Sequence, residues 1–348
     1  MAKALVLSLG RSGSLPIYAE NIVNCFIGNN YDIIISKDRY LKKGVKNSIE
    51  IKTYNSKLSF LFFTFFYLPF KLVSFLPKIY NDYSTLYLPY QHFWDIPFIF
   101  IFKLLGKKVV FTVHDGILHA GEKNYITQNL TDYRIRKATE LIFLTKYVQE
   151  LVEKDKKIKK KSYIIPHPIL ENPFFELKKE TLKTKNLLFF GRIDKYKGVE
   201  ILMESAMKSE ASFEMLRIAG KSLYDISYLK HKKIEVINKY LSEKEIGRLI
   251  NWADILVLPY LEATQSGVIS LGIYGELPMI CTKVGGFSEQ LEEDEAFWCE
   301  PNVESLSKTI SQAFNNQEKY IAIKEKLKLK KKKLTWSKIA QMVESSLN

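Results

Sequence analysis

Two loops in this chain place residues suited to phosphate chemistry at the start of helix-like segments. In LLFFGRIDKYKGVEIL (187–202) an apolar β-run is followed by Arg192, Lys195 and Lys197. In ADILVLPYLEATQSGV (253–268) a second β-run leads into a loop of small and polar residues. Cations at a strand end can hold a diphosphate together with the free N–H groups and positive dipole end of a helix N-terminus. The two loops therefore predict an enzyme that binds a nucleotide-diphosphate compound by its phosphates.

The same loops carry a family resemblance. GRIDKYKG and the run from Pro259 to Glu289, which reads P-x-x-x-ATQSGV and later G-x-L-P-x-I-x-T-x-VGG-x-x-E, resemble the C-terminal half of family-4 glycosyltransferases. The resemblance covers most of the chain and is strong from about residue 160. It implies the α/β GT-B fold, in which two Rossmann-like, doubly wound parallel-sheet domains face each other across a cleft. It also implies a retaining hexosyltransferase that uses a UDP- or GDP-sugar as donor and needs no further cofactor.

The resemblance assigns roles to both loops. Arg192 and Lys197 match the family's catalytic cations, which would stabilise the negative charge that grows on the leaving nucleoside diphosphate. Gly191 would let the first turn form. The second loop would complete the donor site through the side chains or backbone N–H groups of Thr264, Gln265, Ser266, Gly267 and Val268. The alternative interpretation is that these are surface charges and an ordinary strand-to-helix turn.

The second loop departs from the commoner family pattern, which has two glutamates there. An ungapped alignment puts those glutamates at Ala263 and Leu271, and a one-residue shift puts them at Thr264 and Gly272. Neither alignment recovers a carboxylate. A non-catalytic nucleotide-sugar-binding subunit of the same fold is therefore one alternative. A sugar-nucleotide epimerase is another, although its carboxylate acid–base groups cannot be placed.

Apolar β-runs alternate with helical segments along the whole chain, which predicts βαβ units and parallel sheets. The predicted strands are 3–9, 31–36, 84–90, 108–113, 139–145, 162–166, 186–191, 213–219, 234–237, 253–258, 278–282 and 296–299. They divide into an acceptor-binding domain over 1–170, a linker over 171–185 and a nucleotide-sugar-binding domain over 186–334. In the family, a closing helix, here 335–348, completes the N-terminal domain.

Further candidate residues follow predicted strands. His114 and Asp115 follow the strand KVVFTV, and His114 looks like the family's N-terminal histidine, a catalytic residue near the transferred sugar. Asp115 could orient its imidazole. The alternative is a histidine whose hydrogen bonds are all satisfied at the strand end. In the turn GRSGS, Gly13 would lie under the donor phosphates, and Arg11 could meet an acceptor phosphate. The family's backbone grips the nucleobase near Tyr240. An acceptor loop is expected from His119, Gly121 and Glu122.

The formal charge of +14 is concentrated in residues 1–170, which carry 25 Lys and Arg against 13 Asp and Glu. No nucleic-acid motif accompanies the charge, so a phosphorylated substrate or anionic lipid is the expected partner. The three cysteines, Cys25, Cys281 and Cys299, stand in apolar contexts without metal-ligand spacing, and no D-x-D stands near a strand end. Donor binding without a metal ion is therefore expected.

The segment LSFLFFTFFYLPFKLVSFLPKIY (58–80) is rich in phenylalanine and flanked by lysines. Its uninterrupted apolar part runs for about thirteen residues, short of the roughly twenty that span a bilayer. Insertion into the interface of an anionic membrane is predicted, through Phe62, Phe63, Phe66 and Lys71. The alternative is a buried helix that covers the N-terminal sheet. With membrane contact, the expected acceptor is a saccharide on a polyprenyl diphosphate at the cytoplasmic face of the cell membrane.

Overall fold

The structure, a computed structural model, describes residues 3–40, 44–114, 116, 125–176, 184–209, 213–228 and 230–348. The chain divides into two compact units. The first consists of Met1–Pro166 together with Trp336–Asn348, and the second consists of His167–Thr335.

The first unit is built on a parallel sheet of seven described strands in the order β3-β2-β1-β4-β5-β6-β7. Most of its strand residues are buried, as expected for apolar runs covered by helices on both faces. The direction of winding reverses between β1 and β4, so loops that leave these neighbouring strands diverge and open a crevice at their carboxyl ends. The strands are β1 (Lys3–Ser8), β2 (Tyr31–Ser36), β3 (Ser48–Ile51), β4 (Tyr83–Leu88), β5 (Lys108–Val113), β6 (Glu140–Phe143) and β7 (Ser162–Ile164).

Helices connect these strands. They are α1 (Ser14–Asn24), α2 (Lys57–Phe62), a π-helical turn (Phe63–Tyr67), α3 (Leu68–Asn81), α4 (Asp95–Leu104), α5 (Tyr125–Lys137) and α6 (Lys146–Lys156). The α2, π and α3 segments form one continuous helix, Lys57–Asn81, which we call the aromatic helix.

The second unit repeats the design with six described strands in the order β10-β9-β8-β11-β12-β13, all parallel. The strands are β8 (Leu187–Phe190), β9 (Leu216–Ala219), β10 (Ile234–Ile237), β11 (Ile255–Leu258), β12 (Met279–Thr282) and β13 (Phe297–Cys299). The helices are a 3₁₀ turn (Lys195–Lys197), α7 (Val199–Lys208), α8 (Glu243–Trp252), α9 (Gly267–Tyr274), α10 (Phe287–Gln290), α11 (Val303–Asn315) and α12 (Gln317–Lys333). Here the winding reverses between β8 and β11.

The last helix, α13 (Trp336–Leu347), packs on α1 of the first unit. The rings of Tyr18 and Trp336 lie 6.2 Å apart, and the Glu344 carboxylate accepts hydrogen bonds from the N–H groups of Ile27 and Gly28 at 2.9 and 2.8 Å. Its apolar side chains Ile339 and Val343 are buried. This helix therefore belongs to the N-terminal unit, where the family resemblance places it.

Two features differ from the sequence-based expectations. The strand β3, Ser48–Ile51, was not predicted, because its short SIEI sequence buries only Ile51 fully and lacks an apolar run. Residues 171–176, expected in a linker, instead pack on the second unit. The Asn172 side chain donates to the backbone oxygen of Glu243 at 2.9 Å, and Phe175 packs against Tyr274 with rings 5.1 Å apart.

The aromatic helix covers the sheet with one side and exposes the other. Leu68, Phe75 and Ile79 are buried in the core of the first unit. Large apolar side chains on the opposite side are exposed, namely Leu58, Leu61, Phe62, Phe65, Phe66, Phe70, Val73 and Leu76. Among the described residues, this is the one helix whose length and composition would let it cross a membrane. The wholly buried helix considered from the sequence is not what the structure contains.

Candidate functional site

The two loops singled out in the sequence lie side by side in the second unit. One follows β8 and the other follows β11, and these strands are hydrogen-bonded neighbours at the point where the winding reverses. The main-chain N–H of Leu261 donates to the carbonyl oxygen of Tyr196 at 2.7 Å, which ties the loops together. In open α/β sheets this corner is where ligands bind.

Two glycines shape the first loop. Gly191 has φ +132 and Gly198 has φ +66, a left-handed region that side chains disfavour. A Cβ on Gly198 would lie 2.0 Å from the carbonyl oxygen of Pro259, so the backbones of the two loops approach at that point. A Cβ on Gly191 would lie 3.5 Å from Cγ2 of Val268. The first turn therefore lies against the start of α9, as the predicted diphosphate site requires.

The two candidate cations stand on this shared corner. The Lys197 Nζ lies 3.7 Å from the ring centre of Tyr260 and 4.9 Å from that of Tyr196. A ring face attracts an ammonium group, so the tyrosines hold Lys197 in place. Arg192 is exposed, and its Nη2 donates to the Tyr196 hydroxyl at 3.3 Å. One loop thus presents both positive charges to one edge of the sheet.

The tyrosine beneath Lys197 was not identified from the sequence. Tyr260 is fully buried, its ring packs on Phe287 at 5.1 Å, and its carbonyl oxygen accepts a 2.6 Å hydrogen bond from Thr282. Burial raises the pKa of its hydroxyl, so the phenol stays neutral. Tyr260 is therefore a rigid support for a cation. Its position two residues after the end of β11, close to the predicted site, is the sequence feature that could have identified it.

More of the backbone N–H groups at the start of α9 are hydrogen-bonded within the protein than the sequence suggested. Ser266 caps the helix, since its hydroxyl accepts from the Val268 N–H at 3.3 Å. The Ser266 N–H donates to Oε1 of Gln290 at 2.7 Å, and Nε2 of Gln290 donates back to the Ser266 carbonyl at 3.2 Å. Of the three N–H groups expected to face a ligand, those of Ser266 and Val268 thus bond within the protein. That of Gly267 is the main-chain donor proposed for a phosphate.

Gln290 is a second residue that sequence reasoning missed. It closes the short helix α10, after the VGGFSE motif, and its amide clamps both polar groups of the Ser266 backbone. A second tie joins the same elements, from the Gly286 N–H to the Ala263 carbonyl at 3.1 Å. Hydrogen bonds from α10 and the residue before it therefore fix the loop that precedes α9.

Two polar side chains precede the cap. Thr264 is buried, and Gln265 is half-buried. The Oε1 atom of Gln265 is shielded from solvent, and it has no hydrogen-bond partner among the described residues. An acceptor buried in this way costs free energy on the order of 1–3 kcal/mol unless a donor reaches it. Gln265 is therefore the side chain here with most to gain from a ligand hydroxyl.

Tyr240 lies elsewhere on the same edge of this sheet. It is 85% exposed in the loop between β10 and α8. The strand β10 is separated from β8 by β9. Tyr240 therefore lies at the carboxyl edge of this sheet, separated from the cations, and its contact with a nucleobase stays a prediction.

The first unit presents its own group of candidate residues at the β1–β4 reversal. Gly13 has φ +93 and caps α1 without a side chain, and a Cβ there would meet nothing within 4 Å. The turn is held by Tyr90, whose hydroxyl accepts from the Gly10 N–H at 2.8 Å. Arg11 bonds the carbonyl oxygens of Asp38 and Tyr54 at 3.2 and 3.4 Å. Arg11 therefore ties neighbouring loops together, a structural role that was not predicted.

His114 lies at the same edge, after β5. Its Nε2 contacts the carbonyl oxygen of Pro89 at 2.8 Å, and its ring meets the edge of Tyr18 at 5.1 Å. A carbonyl oxygen can only accept, so Nε2 carries a proton and donates to Pro89. His114 is thus a strand-end histidine with a fixed orientation. Asp115, His119, Gly121 and Glu122 lie outside the described residues.

No group of three or more His, Cys, Asp or Glu that could hold a metal ion occurs in the parts of the chain that the structure describes. Cys281 and Cys299 are buried on adjacent strands, and Cys25 is half-buried. What the second unit offers a ligand is positive charge, the Gly267 N–H and the dipole of α9.

Comparison with known proteins shows what part of the sequence and the fold are similar to. Residues 184–316, which contain both loops and Gln290, match the family model "Glycosyl transferases group 1". Over its whole length the chain is similar to Anabaena Alr3699/HepE, solved in complex with UDP, with a TM-score of 0.75, 14% identity and 99% of each chain covered. The fold is therefore the GT-B fold, as the resemblance noted in the sequence implied.

Two curated proteins are similar over shorter segments. A GDP-mannose:glycolipid 4-beta-D-mannosyltransferase from Xanthomonas campestris pv. campestris is 26% identical over 114 residues, which is 31% of this chain and 33% of that protein. An uncharacterised 41.2 kDa protein of the cps region of Klebsiella pneumoniae is 24% identical over 210 residues, which is 56% of this chain and 58% of that protein. The matched segments span about a third and somewhat over half of these relatives.

Proposed function

We propose that the protein is a glycosyltransferase that moves a sugar from a nucleoside-diphosphate sugar to a saccharide acceptor. The observation that carries the proposal is the corner in the second unit, where Arg192 and Lys197 stand beside the start of α9 in the segment that matches group 1 glycosyl transferases. Two cations and a helix dipole at one strand-end corner favour a diphosphate over a neutral ligand.

The chemistry follows from charge. Cleavage of the bond between sugar and diphosphate leaves negative charge on the β-phosphate oxygen. Arg192 and Lys197 stabilise that charge more in the transition state than in the ground state, which lowers the barrier. The Gly267 N–H binds a phosphate oxygen, and Gln265 accepts a hydrogen bond from a sugar hydroxyl. No carboxylate is assigned to the sugar, and no resident metal ion is needed to neutralise the leaving group.

The first unit is proposed to bind the acceptor. Its Gly13 turn and His114 stand at one sheet edge, and the imidazole is oriented by Pro89. The family resemblance supports transfer with retention of the anomeric configuration. The Xanthomonas relative is named for a glycolipid acceptor, which supports a lipid-linked saccharide here. We place the reaction in polysaccharide or glycolipid synthesis, with the protein peripheral on the cytoplasmic face of the cell membrane.

A non-catalytic nucleotide-sugar-binding subunit is the second candidate. The observation that favours it is the loop 263–267, which carries no carboxylate where the commoner family pattern has one. Such a subunit would bind the donor and never release the nucleoside diphosphate. A sugar-nucleotide epimerase would convert the donor sugar without any acceptor.

A donor screen tests the proposal. Thermal unfolding of the full chain is measured with UDP, GDP and a panel of UDP- and GDP-sugars, and GDP-mannose is one arm because of the Xanthomonas relative. We expect one nucleotide class to raise the Tm, since a ligand that binds only the native state stabilises it. The shift should persist in EDTA, and an NMR spectrum of any product should show the donor's anomeric configuration. No shift with any nucleotide, or a shift abolished by EDTA, contradicts the proposal.

A further inference from the structure

The exposed side of the aromatic helix is an apolar surface that sugar transfer does not explain. Phe62, Phe66 and Phe70 are 59, 70 and 71% exposed, and the rings of Phe62 and Phe66 lie 5.5 Å apart. A continuous apolar surface of this kind marks a contact with a partner or a membrane. Phe63, by contrast, packs partly on the core, and the Lys52 ammonium lies 5.4 Å from its ring centre. The surface therefore runs along Phe62, Phe65, Phe66, Phe70 and Val73.

The charge around this surface points to lipid headgroups. The helix Lys57–Asn81 contains no Asp or Glu, and it carries Lys57, Lys71 and Lys78. Each of these lysines can reach an anionic headgroup while the phenylalanines enter the acyl boundary. Protein–protein interfaces are depleted in lysine, so the three lysines of this helix favour a lipid surface over a protein partner. A bilayer with negative surface charge is the occupant that the composition fits.

The opposite side of the helix is fixed to the sheet. Leu68, Phe75 and Ile79 are part of the core, and the Trp94 indole N–H donates to Thr64 Oγ1 at 2.9 Å. At the far end the Lys107 ammonium bonds the carbonyl oxygens of Ile79, Tyr80 and Tyr83. With 25 residues the helix is about 38 Å long, enough to span a bilayer. If the helix spanned the bilayer, it would lose these contacts with the sheet. The helix is therefore suited to lie in the membrane–water interface.

The direction of the helix relates the membrane surface to the acceptor edge. It begins after Ile51, the end of β3, and Phe60 in its first turns contacts Tyr54 and Phe93 with ring separations of 4.7 and 5.8 Å. Phe93 follows β4 and is itself half exposed. Burial lowers the pKa of the neighbouring His92 to about 3, so this cluster stays uncharged. The phenylalanine-rich half of the helix thus starts at the sheet edge that carries the Gly13 turn and His114.

We infer that the aromatic helix is a monotopic anchor that lies in the surface of an anionic bilayer and holds the acceptor edge of the first unit at headgroup level. The part concerning the acceptor rests on the proposed function, whereas membrane binding does not. A lipid-linked saccharide would then meet the Gly13 turn without leaving the membrane. Its apolar tail would remain beside Phe60 and Phe93.

Vesicle co-sedimentation tests the anchor without any sugar donor. The full chain is mixed with vesicles of phosphatidylglycerol and phosphatidylethanolamine, and separately with phosphatidylcholine. We expect binding to the anionic vesicles, weakened by salt because screening shortens the reach of the lysines. The triple variant Phe62→Ser, Phe66→Ser, Phe70→Ser should bind at least about tenfold more weakly, since three apolar rings no longer enter the lipid. Circular dichroism should show both proteins folded.

Matched variants sharpen the result. Leu223→Ser, Ile321→Ser and Leu329→Ser remove exposed apolar side chains from the second unit and should leave binding unchanged. The charge variant Lys57→Glu, Lys71→Glu, Lys78→Glu keeps the apolar surface and should also lose anionic binding, which preserves the test if the serine variant unfolds. Equal binding by the wild type and the phenylalanine variant would overturn the inference. So would a change in oligomeric state without vesicle binding, or retention in vesicles after alkaline extraction.

A failure of the membrane anchor can be distinguished from a failure of the proposed sugar transfer. The vesicles contain no acceptor, and the donor screen contains no lipid. A protein that binds its nucleotide sugar but no vesicle would retain the proposed transferase activity with a soluble acceptor. A protein that binds vesicles but no nucleotide would retain the anchor and lose the proposed function.

Discussion

At the scale of single residues, the candidate site depends on cations held by aromatic rings. Lys197 sits 3.7 Å above the buried ring of Tyr260, and Arg192 reaches the Tyr196 hydroxyl. The face of a tyrosine ring attracts a cation and helps to orient it. The two tyrosines therefore fix where these positive charges stand at the sheet edge.

Alanine at either cation should reduce turnover while leaving the fold intact. We expect Arg192→Ala and Lys197→Ala each to lower kcat about 100- to 1,000-fold, the usual cost of one electrostatic donor at a developing charge. The Tm should change little for Arg192→Ala, because that side chain is exposed. Lys195→Ala, which removes a lysine of the same loop near Tyr224, is the control and should keep most activity. Activity within a few-fold of wild type for both cation variants would remove these residues from the mechanism.

At the scale of elements, the corner is assembled from turns that permit close approach and from one amide clamp. Gly198 lets its loop approach Pro259, and Gln290 on α10 holds the cap of α9. These contacts join segments that are about 25 to 60 residues apart in sequence. A single motif therefore does not make the site, and the sheet order brings the parts together.

Loss of the Gln290 clamp should loosen donor binding. Gln290→Ala removes both hydrogen bonds to the Ser266 backbone, so we expect the donor KM to rise roughly tenfold, in line with about 1–1.5 kcal/mol for hydrogen bonds of this kind, while kcat changes less. Gln290→Glu keeps an acceptor for the Ser266 N–H and adds negative charge near the diphosphate, so KM should rise further. Gln312→Ala, on the exposed side of α11, is the control. A fall in Tm with an unchanged KM would mean that the clamp serves stability alone.

The sequence predicted the strands well and the faces of the aromatic helix less well. Long buried runs such as KVVFTV are readable because parallel strands are apolar on both faces. The strand SIEI was missed because it is short and partly polar. Phe63 was predicted to face the membrane, yet it packs on the core. Composition alone did not separate the neighbours Phe62 and Phe63, which a helix of 3.6 residues per turn directs about 100° apart.

At the candidate site, the cations and the small-residue loop were predictable from their motifs. Tyr260 and Gln290 were not, because their roles depend on which strands become neighbours. The main-chain donors at α9 were overestimated, since a sequence does not reveal that Ser266 N–H and Val268 N–H already have partners. Motifs thus identify the charged groups, and the fold decides which polar groups bond within the protein.

At the scale of the whole molecule, two parallel sheets each reverse their winding once and each collect candidate residues at that reversal. The second unit collects cations and a helix start, as a donor site needs. The first collects a glycine turn and an oriented histidine, and it carries the aromatic helix beside the same edge. We therefore propose that the second unit supplies the donor chemistry and that the first unit binds an acceptor at the membrane.

The most direct test is sugar transfer itself. The full chain is incubated with its stabilising nucleotide sugar, labelled in the sugar, and synthetic polyprenyl-diphosphate-linked saccharides in anionic vesicles. We predict that the label enters the lipid fraction with one nucleoside diphosphate released per sugar, in the presence of EDTA, and that Lys197→Ala lowers the rate about 100-fold or more. Donor binding with neither label transfer nor nucleoside diphosphate release would contradict the proposed sugar transfer. The protein would then be a nucleotide-sugar-binding subunit.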